Sequence, residues 1–255
     1  MCPERQSPAI TPRILILGGT AEGRALSYRL DGDYTVIYSL AGRTRHPLST
    51  AGRLVRGGFG GVSGLHAFLR REGIDALIDA THPFAARISA AAAEAAGQAA
   101  IPCLHIRRPA WTVNPDHRAA DFAGAAAVLT RLSPKRPFLA LGQAHLAPFA
   151  EIMRDRFCLL RFADPPSEPV GLKRCAIEIA RPPFDESHER CLLKAYDIDL
   201  LVARNAGGDA GYAKIAAAKA LAVPLLLIDR PALPAGAETA ATVADAETWL
   251  RTRLC

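Results

Sequence analysis

The sequence predicts an α/β protein built on mainly parallel sheets, and three observations carry that expectation. The stretch Arg13–Arg24, RILILGGTAEGR, runs from an apolar β-segment through a glycine turn into a helix. Short apolar or β-branched runs then alternate with helical stretches, the order a parallel sheet requires. Between Thr112 and Pro137 the composition turns polar and proline-bearing, after which the same alternation begins again. A chain of 255 residues holds one large α/β domain or two of about 100 to 150 residues. The expected division is 1–110 and 111–255.

Ile14–Leu17 reads as a buried strand, Gly18-Gly19-Thr20 as a turn, and the helix begins near Ala21. In this order a phosphate can meet the free N–H groups of a helix start. Gly18 and Gly23 fill the first and third positions of a G-x-G-x-x-G pattern. Thr20 takes the middle one, where its hydroxyl can donate to a phosphate oxygen. Two readings stand on these residues alone: a dinucleotide site, or an ordinary strand-to-helix connection.

A second strand is expected at Tyr34–Tyr38, ending at Ser39. About twenty residues beyond the first glycine, NAD-binding folds place a carboxylate for the ribose hydroxyls. Here Ser39-Leu40-Ala41-Gly42-Arg43 offers a hydroxyl and a guanidinium instead, which favours NADPH over NADH. A surface arginine in a loop is the plainer alternative.

A short strand at Arg53–Arg56 leads into Gly57-Gly58-Phe59-Gly60-Gly61 and a helix from about Ser63. Four glycines around one phenylalanine cost conformational entropy. The loop therefore reads as facing a ligand, with Phe59 as lid or stacking surface, against the alternative of a plain turn. Asp75–Ala80 is expected as a buried strand that delivers Thr81 and His82 to the carboxyl edge of the sheet, where ligands of doubly wound folds sit. His82 either touches a ligand there or is structural. Ile101–Ile106 delivers Arg107, Arg108, Pro109 and Trp111 to the same edge. Two guanidiniums and an indole suit a flat anionic ligand; an exposed basic turn is the alternative.

Within the break a helix is expected at Asp121–Leu132, and beyond it strands at Phe138–Leu141, Phe157–Phe162 and Cys175–Ile179, and a helix at Asp185–Ala195. Strand Asp199–Ala203, a helix through Leu221, strand Leu225–Ile228 and a helix ending near Arg253 complete the chain. Arg204-Asn205-Ala206-Gly207-Gly208 repeats the opening architecture and reads as a second anion site. Lys214 and Lys219 add charge to it or stand solvated, and the solvated reading is favoured.

Half of the residues are hydrophobic and 22% are charged, a globular profile. The residues before Arg13 carry three prolines and no apolar h-region, so they read as a disordered leader, and no apolar run is long enough to span a bilayer. A cytoplasmic protein is expected. The six cysteines are scattered without metal-ligand spacing and read as reduced, mostly buried thiols, with no metal site. The charge of +6 is spread along the chain, which suits a polyanionic small molecule at least as well as nucleic acid. A G-x-S-x-G elbow, a Walker lysine and H-E-x-x-H are absent, and Tyr212 and Lys214 lack the Tyr-x-x-x-Lys spacing. A hydride donor would then need a substrate such as a conjugated C=N or C=C system.

LGGTAEGRAL, SLAGR, RGGFGG, DATHPFA, RRPAW, ARNAGG and IDRPAL, in this order from about Ile14 to Pro231, resemble the precorrin-6A reductase family of cobalamin biosynthesis. The resemblance implies an oxidoreductase of two Rossmann-like lobes facing a central cleft, the N-terminal lobe holding NADPH. It further implies reduction of the macrocycle precorrin-6A to precorrin-6B, with hydride delivered to C19 and a proton to C18. Carried over, Gly18, Gly19, Thr20 and Gly23 would hold the pyrophosphate, and Ser39 and Arg43 the 2′-phosphate. Gly58, Phe59, Gly60, Thr81 and His82 would border the nicotinamide. His82 is the first candidate for proton donor, with bulk water competing. Arg107, Arg108, Arg204 and Lys214 would meet the carboxylates of the tetrapyrrole substrate. Where a Lys-x-Ser-Gly-like pattern is expected in relatives, this chain has Ala203-Arg204-Asn205-Ala206-Gly207, with Arg204 a substitute for the lysine.

Three rivals accompany this expectation: a reductase of the cobalt-containing analogue, a non-catalytic NADPH-sensing module with a protein partner, and a basic nucleic-acid binder with steep salt dependence. The cofactor assignment has its own test. Arg43→Ala is expected to weaken NADPH binding far more than NADH binding, and equal losses for both would remove the 2′-phosphate assignment.

Overall fold

The computed structural model describes residues 11–42, 48–166 and 168–254. Arg43 lies outside them.

The elements follow as β1 (Arg13–Leu17), α1 (Ala21–Leu30), β2 (Thr35–Leu40), β3 (Arg53–Arg56), α2 (Val62–Glu72), β4 (Ala76–Asp79), α3 (Ala86–Ala99) and β5 (Cys103–Ile106). After these come β6 (His117–Ala119), α4 (Phe122–Leu132), β7 (Pro137–Ala140), β8 (Cys158–Phe162), β9 (Cys175–Ile179), α5 (Glu186–Ala195) and β10 (Leu200–Arg204). The last are α6 (Ala213–Ala220), β11 (Leu225–Ile228), β12 (Glu238–Ala240) and α7 (Val243–Leu254).

Two six-stranded sheets result, with strand orders β3-β2-β1-β4-β5-β12 and β9-β8-β7-β10-β11-β6. Every strand pair in both is parallel. An all-parallel sheet must be covered on both faces, and the aliphatic runs of β1, β4, β10 and β11 are buried throughout or nearly so. In the first sheet, alternation sends Ile14, Ile16, Val36, Tyr38 and Ile78 toward α1 and α7, where Leu26, Leu30 and Leu250 meet them. Leu15, Leu17, Ile37 and Leu77 face α2 and α3, against Leu65, Phe68 and a stripe of alanines that lets α3 lie close. In the second sheet, Phe138, Leu159, Leu201 and Leu227 pack on α5 and α6.

The chain divides into two compact units, one comprising the residues up to Arg108 together with Ala232 onward, the other Pro109–Pro231. The expected second lobe of 111–255 is corrected at its end. Residues from Ala232 return to the first unit because β12 pairs with β5, Glu238 opposite Leu104, and α7 packs on α1 with Ala246 and Leu250 fully buried. Reciprocally, β6 follows β5 in sequence yet pairs with β11 in the second sheet. The segment read only as a polar break holds this strand.

Leu250→Ala is expected to cost about 2–5 kcal/mol of stability and to loosen the first unit. Hydrogen exchange should therefore rise in β1, β2 and α1 and leave β7 and β10 protected. A change confined to the second unit would contradict the placement of α7.

Candidate active site

In the first unit strand order reverses between β1 and β4, so the loops leaving these strands part and open a crevice at the carboxyl edge. The glycine turn stands there. A Cβ on Gly18 would lie 2.1 Å from the Tyr38 ring, and one on Gly23 would lie 2.8 Å from the Ala80 methyl, so packing alone excludes side chains at both. Tyr38, buried beneath the turn, accepts the Gly19 N–H on its hydroxyl at 3.2 Å. Gly19 itself has φ +126°, and an added Cβ there would meet nothing within 4 Å. Here the backbone leaves room for a ligand.

Thr20 caps α1. Its Oγ1 accepts the Gly23 N–H at 3.2 Å and donates to the Ala80 carbonyl at 2.8 Å. The hydroxyl is thus engaged by the protein itself, on the Ala80 carbonyl. Thr20 ties the turn after β1 to the exit of β4. Glu22, the second residue of α1, places a carboxylate at the positive end of the helix dipole. Nη1 of Arg108 reaches both of its oxygens, at 2.8 and 2.9 Å. Burial pushes the Glu22 carboxyl up, but the Arg108 bond and its own backbone N–H carry it below the usual range. Arg108, expected on a substrate carboxylate, therefore sits beside the glycine turn on a carboxylate of the chain itself.

Ser39 is buried within β2 and accepts the Gly18 N–H on its carbonyl at 2.8 Å. Phe59 packs edge-on against Phe68 with centroids 5.0 Å apart, at the margin of the α2/α3 core, so it anchors the glycine loop rather than swinging as a lid. Gly58 and Gly60 on either side face open space.

At the end of β4, Asp79 is 3% exposed. Its Oδ1 accepts the Thr81 N–H at 3.0 Å and the Thr81 hydroxyl at 2.6 Å, and its Oδ2 lies 2.9 Å from His105 Nδ1 on β5. Burial would raise this carboxyl, but hydrogen bonds from His105, Ser89 and Thr81 bring it below the ordinary value. Cys103 Sγ lies 3.9 Å from His105 Nε2, so the three side chains line up in the order of a thiol triad. Burial pushes the thiol up to about 12, helped by the charges of Asp79 and Glu238, so it is no nucleophile. His82 accepts the Phe84 N–H on Nδ1 at 3.2 Å, which puts the proton of the neutral ring on Nε2. Arg107 donates its backbone N–H to Ala240 on β12 and is lowered by burial, with Asp79 opposing.

In the second unit the reversal lies between β7 and β10. Arg204 ends β10, and its Nη2 lies 3.9 Å from where a Cβ on Gly142, just past β7, would be. Burial draws Arg204 down to about 10, so it remains protonated at neutral pH. Asn205 accepts the Trp111 N–H at 2.9 Å, and the Trp111 indole donates to the Gly208 carbonyl at 2.7 Å. Gly207 is required because a Cβ would stand 1.9 Å from the Pro109 carbonyl.

Lys214 is buried, contrary to the solvated reading, while Lys219 is exposed. Lys214 Nζ donates to the Gly211 carbonyl at 2.5 Å and lies 5.2 Å from the centre of the Trp111 ring. Deeper still, Arg161 on β8 pairs with Glu189 on α5 at 2.6 Å, both buried. The guanidinium stacks over Phe138 and Phe184.

Sequence reasoning missed Glu22, Asp79, His105, Arg161 and Glu189. Three of them carried a signal: Asp79, His105 and Arg161 are ionisable residues inside otherwise apolar strands. Cys191 is exposed rather than buried, and Cys2 and Cys255 lie outside the described residues. Among the described residues no cluster of His, Cys, Asp and Glu could hold a metal ion, and no helix is long and apolar enough to cross a membrane.

Comparison with known proteins gives one consistent result. Residues 13–251 match the family described as precorrin-6x reductase CbiJ/CobK. The chain is 43% identical to a precorrin-6A reductase of Rhodococcus erythropolis, over 94% of this chain and 98% of that protein. It is 41% identical to one of Rhodobacter capsulatus, over 93% and 95%. A solved structure described as CobK precorrin-6A reductase superposes with a TM-score of 0.88 at 40% identity, covering 96% of this chain and 98% of that one.

The burial of Lys214 has a consequence for stability. Burial takes its ammonium from the ordinary 10.5 down to about 8, against the pull of Glu189 and with Arg161 and Arg204 adding to the drop. Between these two values the unfolded chain holds a proton that the folded chain has released, so stability rises with pH across that window. At about 1.4 kcal/mol per pH unit, the cost below pH 8 is about 3 kcal/mol. Urea unfolding at pH 7 and pH 10 should show the wild type gaining on Lys214→Met by about that amount. Parallel curves would put Lys214 in water.

Proposed function

Because the chain belongs to the precorrin-6x reductase CbiJ/CobK family, we propose that it reduces precorrin-6A to precorrin-6B in cobalamin biosynthesis, using NADPH and delivering hydride to C19. The observation that carries this reading is the match of nearly the whole chain, in sequence and in fold, to precorrin-6A reductases. The relatives at 43% and 41% identity bear the metal-free name, which favours precorrin-6A over its cobalt-containing analogue.

The first unit fits a dinucleotide. Gly19 opens onto unfilled space beside the start of α1, at the switch point of the sheet, and Arg108 places a guanidinium by that helix start. NADPH bound there supplies the hydride. Gly18, Gly19 and Gly23 let the backbone approach the pyrophosphate, Thr20 holds the turn rigid, and Ser39 and Arg43 serve the 2′-phosphate. Gly58, Phe59, Gly60 and Thr81 border the nicotinamide. His82 offers Nε2–H as a hydrogen-bond donor, and protonating Nδ1 would break its bond to the Phe84 N–H, so bulk water is the stronger candidate for the C18 proton. Arg107, Arg204 and Lys214 meet carboxylates of the macrocycle, and Arg108 serves whichever anion reaches α1. The rate comes mainly from proximity, orientation and exclusion of water. A cytoplasmic setting fits a protein whose free thiols and soluble substrate need no export.

Purified protein mixed with NADPH and precorrin-6A is expected to lose absorbance at 340 nm in proportion to substrate. Binding of NADPH without its consumption would favour a sensor that has lost catalysis.

A further inference from the structure

Two threonine hydroxyls border the crevice of the first unit, and their hydrogen bonds differ in a way that matters. Thr20 Oγ1 both accepts and donates within the protein, so its capacity is spent on the turn. Thr81 Oγ1 only donates: its proton lies on Asp79 Oδ1 at 2.6 Å, and among the described residues no donor reaches its lone pairs. Thr81 is partly exposed, at the carboxyl edge of β4 where strand order reverses.

The direction of that hydroxyl is fixed by more than one bond. Asp79 Oδ1 also takes the Thr81 backbone N–H, which pins the turn, and Oδ2 is held by His105 Nδ1 from the neighbouring strand. His105 is 2% exposed and cannot swing away. Ser89 on α3 adds a further donor. A carboxylate has no proton to give, so Thr81 can satisfy it only by pointing O–H inward.

The geometry points to Asp79, locked by His105, as a positioning residue that presents the Thr81 hydroxyl to the ligand as an acceptor and so selects a nicotinamide whose carboxamide can donate N–H. This rests on the placement of Thr81 beside the nicotinamide proposed above. An acceptor cut off from water by the bound ring and left facing a methyl group is costly, which is how a single fixed hydroxyl discriminates between rings of the same shape.

The probe is the reduced 3-acetylpyridine analogue of NADPH, which keeps the ring and the carbonyl but replaces the carboxamide N–H₂ with a methyl group. Dissociation constants for NADPH, the analogue and 2′,5′-ADP, which lacks the nicotinamide, are measured on the full chain by fluorescence and calorimetry. Wild type is expected to bind NADPH about tenfold more tightly than the analogue. Asp79→Ala frees the hydroxyl to turn and should bring that ratio to within about twofold, with 2′,5′-ADP binding unchanged. Asp79→Asn should keep the preference, because its Oδ1 still accepts from Thr81 while its amide donates to His105 in the other tautomer. Thr81→Val should also abolish the preference.

A wild type that binds both cofactors equally overturns the proposal without any variant, so a failure of Asp79→Ala to fold leaves it testable. A folded Asp79→Ala that retains the full ratio, or a Thr81→Val that leaves the ratio intact, also overturns it. If NADPH itself fails to bind while 2′,5′-ADP binds, the cofactor reading falls and the acceptor assignment falls with it. If NADPH binds and is consumed but the ratio is flat, the acceptor assignment alone is lost.

Discussion

A parallel sheet covered by helices on both faces opens to a ligand chiefly where its strands end, and that confinement decides where this protein can do chemistry. The aliphatic runs of β1, β4, β10 and β11 fill most of the sheet interior, and the few ionisable side chains inside the strands, Asp79, His105 and Arg161, are bonded to other protein groups. Polar side chains collect where each run stops: the glycine turn and Thr81 in one unit, Arg204 and Asn205 in the other. Both units reverse strand order at the centre of the sheet, so in each the departing loops separate over the same kind of gap.

What each unit does with its edge differs in charge. The first spends its ionisable groups on one another, Glu22 on Arg108 and Asp79 on His105, and keeps its glycine backbone accessible. The second buries Arg161 and Lys214 in the neighbourhood of the Glu189 carboxylate, with Arg204 at the end of β10. Breaking a buried pair of this kind by removing one partner is strongly destabilising, since the other is stranded out of water.

Much of this was legible from residues alone. The strands from Arg53 to Arg56, Cys175 to Ile179 and Leu225 to Ile228 announce themselves as runs bounded by turn residues, and the glycine turn fixes the first βα unit. Two strands left no trace. HRA and ETA are three residues long without a β-branched run, and only the edges of β11 and β5 make strands of them. The candidate site was readable as positions but not as roles. Gly18 and Gly23 look like phosphate glycines, yet Tyr38 and Ala80 explain them sterically; Thr20 looks like a donor, and its hydroxyl is engaged on the Ala80 carbonyl. Lys214 looks solvated because a helix start usually is, and only the packing of Trp111 over it shows otherwise. Periodicity reports which face of an element is inside; it carries no information on which neighbour arrives from a distant part of the chain.

The return of β12 and α7 to the first sheet bears on how the molecule is born. During translation the first five strands and three helices emerge with one sheet edge unpaired and with Leu26 and Leu30 of α1 uncovered. They must wait for the whole of the second unit to be made before residues 238–254 leave the ribosome to close them. The second unit takes its edge strand β6 from its own first residues, so it can close first. The half that is synthesised earlier is thus the half that matures later.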